Sequence, residues 1–102
     1  MELTVHGRHM PVSHALANHA EVRFGAALGQ HDGWVKRVVL SLEDINGPRG
    51  GVDKRCKAMI NLRAGAPLVL EEISTNLYGA IDEIAHRAKR AVGRKVARIR
   101  QK

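Results

Sequence analysis

The chain has 102 residues with 44% hydrophobic residues, enough for one domain, residues 1–102, around one modest core. It carries a net charge of +7, one cysteine and three aromatic residues. No internal disulfide framework can form, no apolar run is long enough to span a bilayer, and there is little on which to stack single-stranded bases.

The N-terminus, MELTVHGRHM, has no charged segment followed by an apolar stretch, so it does not read as a secretory signal. With the single Cys56, this gives a cytoplasmic expectation. Glu2-Leu3-Thr4-Val5-His6 alternates polar and apolar and predicts a first strand. Ser13 is placed to cap a helix over about 14–29, whose apolar stripe is Leu16, Ala20, Phe24, Ala27 and Leu28. Gly29 and Gly33 are expected to end it and turn the chain.

A second alternating run, 36–43, sets Val38, Leu40 and Leu42 on one side, with Val39 an exception on the polar side. The segment DINGPRGGVDKRC, 44–56, follows and combines three glycines with a proline. A phosphate-cradling loop needs a helix behind it and usually a Lys-Ser/Thr pair. Here another strand pattern follows, so NGPRGG is expected to be the loop of a long hairpin, with Arg49 as a loop contact to a larger anionic partner.

The third strand, 54–63, places Cys56, Ala58, Ile60 and Leu62 on one side and Arg55, Lys57, Met59, Asn61 and Arg63 on the other. A fourth strand is expected over 68–73. Asn76 then caps a helix to about residue 100, with an apolar stripe of Leu77, Ile81, Ile84, Ala88, Val92, Val96 and Ile99. Gly93 is a mild weak point in it. The predicted fold is α+β in the order β-α-β-β-β-α, a four-stranded sheet with two helices packed on one face.

The basic excess is local. Residues 86–102 hold eight Lys or Arg and no acid, whereas residues 1–85 hold nine against ten acids. Such asymmetry points to an anionic partner, nucleic acid or a membrane surface. Arg87, Arg90, Arg94 and Arg98 recur at three, four and four and form one helical stripe, which Lys89 and Lys95 broaden. Successive members rise by about 5 to 6 Å, comparable to phosphate spacing along a strand. Arg37, Arg55, Lys57 and Arg63 make a second basic surface on the strands. Abundant arginine with few aromatics favours recognition of structured RNA by shape and backbone.

The six histidines form no HExxH pattern or Cys-His pairing, so no metal site is expected. Cys56 falls on the predicted buried side and reads as an inert thiol, and no catalytic residue is assigned. Tyr78 is expected to pack at the helix start, while Trp34 fits either an anchoring or an exposed place.

The element order, the Asn76-Leu77-Tyr78-Gly79-Ala80-Ile81-Asp82 helix start and the basic tail resemble the ribosome hibernation-promoting factors, the family that includes ribosome-associated inhibitor A. The resemblance spans essentially the whole chain. It implies a non-enzymatic protein without cofactor, membrane or small-molecule substrate, bound to the small ribosomal subunit and its rRNA. The implied place is the channel for mRNA and tRNA, and the implied action is to block translation by occlusion under stress or in stationary phase. The contacts it implies are Arg87, Lys89, Arg90, Arg94, Lys95 and Arg98, with Arg37, Arg55, Lys57 and Arg63. The GPRGG loop and the Asp53-Lys54-Arg55-Cys56 run depart from the short members, as a divergent subgroup would. The dimerisation domain of the long members has no counterpart, so ribosome pairing by that route is not expected. Two other classes stay open: a double-stranded RNA binder with another target, and an enzyme or non-ribosomal interaction domain using the GPRGG-DKRC segment.

Overall fold

The computed structural model describes residues 1–46 and 53–101. The elements are β1 (Glu2–Arg8), α1 (His14–Leu28), a 3₁₀ turn (Gly29–His31), β2 (Val35–Asp44), β3 (Lys54–Leu62), β4 (Leu68–Ser74) and α2 (Leu77–Arg100). They build one sheet in the order β1-β2-β3-β4. β1 lies parallel to β2, while β2, β3 and β4 are antiparallel neighbours. A parallel pair cannot be joined by a tight turn, and α1 supplies the crossover.

Alternation decides which sheet face is covered. Val38, Leu40 and Leu42 of β2 and Cys56, Ala58, Ile60 and Leu62 of β3 are buried in one cluster with Leu16, Ala20, Phe24 and Leu28 of α1. Ile81, Ile84, Ala88 and Val92 of α2 complete that cluster, so both helices cover the same face. Each large side chain fully buried there contributes about 1.5 to 3 kcal/mol. The opposite face carries Arg37, Val39, Ser41 and Glu43 of β2 in register with Asn61, Met59, Lys57 and Arg55 of β3.

Val35 and Val38 are both buried although an odd spacing separates them. The register passes from Val35↔Leu62 to Arg37↔Asn61, which leaves Lys36 as an extra residue on β2. This bulge returns Val35 to the covered face. Trp34, half-buried before it, packs against the core, and its carbonyl accepts from the Arg63 N–H at 2.9 Å.

The caps are those that the sequence predicts. Ser13 Oγ accepts from the Leu16 N–H at 3.1 Å, and Asn76 Oδ1 accepts from the Tyr78 N–H at 2.8 Å. Gly29 differs from expectation: at φ −56° it is right-handed, so α1 tightens into the 3₁₀ turn and has no left-handed glycine cap. At the β1–α1 turn His9 takes φ 60°, and a Cβ on Gly7 would meet the Met10 carbonyl oxygen. That turn closes only because Gly7 has no side chain.

Residues 47–52, with Arg49 and the glycines of the GPRGG motif, lie outside the described residues, as does Lys102. On either side Asp44 pairs with Lys54, and the Ile45 N–H donates to the Asp53 carbonyl at 2.8 Å. The described ends of the segment are therefore the limbs of an antiparallel hairpin. Lys54 Nζ binds buried Asp53 at 3.0 Å and reaches Asp44 at 3.3 Å, tying both limbs together.

Candidate nucleic-acid interface

The sequence-predicted cations stand on two layers of the molecule. α2 carries Arg87, Lys89, Arg90, Arg94, Lys95 and Arg98 through one continuous 24-residue helix. Its buried residues define the face turned to the sheet and α1. The helical repeat then sets Arg87, Arg90, Arg94 and Arg98 along a single flank on the β4 side. The basic last turn, with Arg98 and Arg100, also suits the negative end of the helix dipole.

The four arginines of that flank differ in what they touch. Arg87 is half-buried; its Nη1 donates to the Glu71 carbonyl of β4 at 2.8 Å and to Glu72 Oε2 at 3.1 Å. It covers the outer edge of the sheet where β4 has no strand neighbour. Arg90, Arg94 and Arg98 are exposed and form no ion pair among the described residues. Their guanidinium forks are thus available for phosphate oxygens.

Lys89 lies on the other flank. With Arg23, Ala26, Ala27, Asp82 and His86 it lines a groove between α1 and α2. Lys95 lies between the flanks at the end of the sheet: its stem passes over Gly65, whose φ is +82°. A Cβ at Gly65 would stand 3.0 Å from Lys95 Cε.

The strand cations face away from α2. Arg37 is held by Glu2 at 3.3 Å, and Arg55 by Glu43 at 3.2 Å and Glu71 at 3.5 Å. Lys57 is exposed on the same face without an ion pair among the described residues, and Arg63 is exposed at the end of β3. Arg55, Lys57 and Arg8 border a shallow depression of about 200 Å³ with Glu43 and Glu71. The open sheet face therefore mixes both signs, unlike the α2 flank. Exposed Met59, Val69 and Ile73 add apolar area to it.

Two cations escaped the sequence reasoning. Arg8 reaches the open face through its register with Glu43, which no local pattern reveals. Arg23 donates to Asp82 Oδ1 at 2.8 Å, and His19 Nε2 lies 2.7 Å from the same oxygen. The i, i+4 spacing of His19 and Arg23 on α1 was the available signal. The His19 ring also meets Tyr78 edge-on at 5.1 Å between centroids, so Tyr78, though exposed, packs at the helix start. Partial burial pushes the Asp82 carboxyl up, but the His19 and Arg23 hydrogen bonds and charges outweigh it and hold it below its ordinary value.

Cys56 is buried and free; burial first, and the Glu72 charge second, push its thiol up to about 12. No group of three or more His, Cys, Asp or Glu gathers as metal ligands would among the described residues. No helix among them is long and apolar enough to cross a membrane.

The family model described as Sigma 54 modulation protein / S30EA ribosomal protein matches residues 3–100. Among solved structures, a ribosomal subunit interface protein from Coxiella burnetii is similar with a TM-score of 0.81 at 18% identity, over 95% of this chain and 99% of that one. The N-terminal domain of Thermus thermophilus Protein Y is similar with a TM-score of 0.75 at 22% identity, over 92% of this chain and 98% of that one. At such identities these likenesses speak for the fold. No curated protein matches the sequence.

Proposed function

The chain belongs to the Sigma 54 modulation protein / S30EA ribosomal protein family, and from that premise we propose that it binds the small ribosomal subunit in the channel that mRNA and tRNA occupy. It holds translation off by filling that channel under stress or in stationary phase, in the cytoplasm. No bond is made or broken and no cofactor takes part.

One observation carries the reading: Arg90, Arg94 and Arg98 line one exposed flank of α2 and form no ion pair among the described residues. An unneutralised run of arginine at a rise of about 6 Å per step matches a phosphate backbone, and rRNA presents such backbones at fixed positions. Arg87, Lys89 and Lys95 extend the contact on either side. The strand cations contribute through Lys57 and Arg63, because Arg37 and Arg55 are already engaged with glutamates. The Coxiella burnetii protein of the same fold is named for the ribosomal subunit interface, in keeping with this assignment.

The test is sedimentation with purified small subunits at low salt. The wild-type chain is expected to co-sediment and the Arg90→Glu, Arg94→Glu double variant to stay in the supernatant with its circular dichroism unchanged. Co-sedimentation of the folded double variant would remove the α2 flank from the interface.

A further inference from the structure

Where the end of α2 passes the β3–β4 turn, Ala64, Gly65, Lys95, Arg98 and Ile99 enclose an open cleft of about 260 Å³. Its floor is largely apolar: half-buried Ile99, the small turn residues and the Lys95 stem. Its rim carries two cations, Lys95 and Arg98, neither ion-paired among the described residues. Gly65, at φ +82°, lets the Lys95 stem lie close over the turn, since a Cβ there would stand 3.0 Å from Lys95 Cε.

We propose that this cleft takes one unpaired nucleotide of an RNA partner, its base against Ile99 and Ala64 and its phosphates on Arg98 and Lys95. The inference rests on the reading that the α2 flank meets RNA, and it adds a base-sized subsite at the end of the phosphate-binding run. Unstacked bases are bound on apolar or aromatic surfaces and on the planes of arginine guanidinium groups. A chain with three aromatics must do so on aliphatic and guanidinium surface. Of the surfaces carrying α2 cations, this is where apolar floor and unpaired charge coincide. The groove that holds Lys89 also contains the Asp82 carboxylate and its partner Arg23, so its charge is mixed.

The probe is an RNA hairpin with a short unpaired tail containing 2-aminopurine, compared with the same hairpin made blunt. The wild-type chain is expected to prefer the tailed RNA by about tenfold and to change the 2-aminopurine emission. Ile99→Ser is expected to lose the preference and the emission change while binding the blunt hairpin as before. Ile99→Leu, which keeps the apolar floor, is expected to retain both. An unchanged preference in Ile99→Ser, equal losses on both RNAs, or no preference in the wild type overturns the proposal. A wild type without tail preference that still sediments with small subunits overturns this subsite alone. A tail preference in a chain that does not sediment with them overturns the ribosomal reading alone.

Discussion

Asp82 joins the two helices through one oxygen, which both His19 and Arg23 reach. Its pKa lies below the ordinary carboxylate value of 3.8. The contribution of this clasp is therefore complete above that value and is lost as acid carries the pH down through the folded pKa. Asp82→Asn is expected to cost about 1 kcal/mol in urea unfolding at neutral pH, because the pairs are partly exposed and screened. The variant should also lose less of its remaining stability in acid than the wild type does. Equal stabilities at neutral pH would mean that the clasp is ornamental. Gly7 and Cys56 are decided by space. Gly7→Ala pushes a Cβ onto the Met10 carbonyl and is expected to destabilise the chain by about 1 to 3 kcal/mol in the same measurement. Buried Cys56, with its thiol pushed up to about 12, should resist thiol reagents at neutral pH until urea opens the fold. Rapid modification of the folded chain would contradict its burial.

The elements were legible because each has one dominant period. Alternation marks β2 and β3, the three-and-four spacing marks both helices, and Ser13 and Asn76 cap where they stand in the sequence. Two features had no local signature. The Lys36 bulge depends on where β3 pairs, and the engagement of Arg87 depends on Glu71 and Glu72 of β4, 16 and 15 residues earlier in the chain. The arginine flank is thus two kinds of residue in one periodic pattern. Arg90→Ala or Arg94→Ala should each lower the log–log salt slope of small-subunit binding by roughly 0.7 to 0.9, leaving the urea midpoint in place. Arg87→Ala should instead lower the urea midpoint, because it releases the edge of β4 and strands Glu72. The same salt slope in all three variants and the wild type would argue against phosphate contacts by this flank.

For the whole molecule, element order and alternation were enough to place both helices on one face and to leave the other bare. What they did not give is the allotment of charge between the layers. The strand cations read as a second basic surface, yet Arg37 and Arg55 pair with glutamates that only the sheet register brings opposite or beside them. Among the described residues, Arg90, Arg94 and Arg98 form an unpaired cationic run on the helix layer, and the sheet face behind it is mixed and partly apolar. The rRNA contact is therefore expected to run chiefly along the α2 flank, with Lys57 and Arg63 of the sheet face as the smaller share, in a channel narrow enough that the body of the chain excludes tRNA. Competition between the chain and initiator tRNA for mRNA-programmed small subunits tests this most directly. The account predicts that the wild-type chain displaces the tRNA and that the Arg90→Glu, Arg94→Glu variant does not. Simultaneous, undiminished binding of chain and tRNA to the same subunit would contradict it.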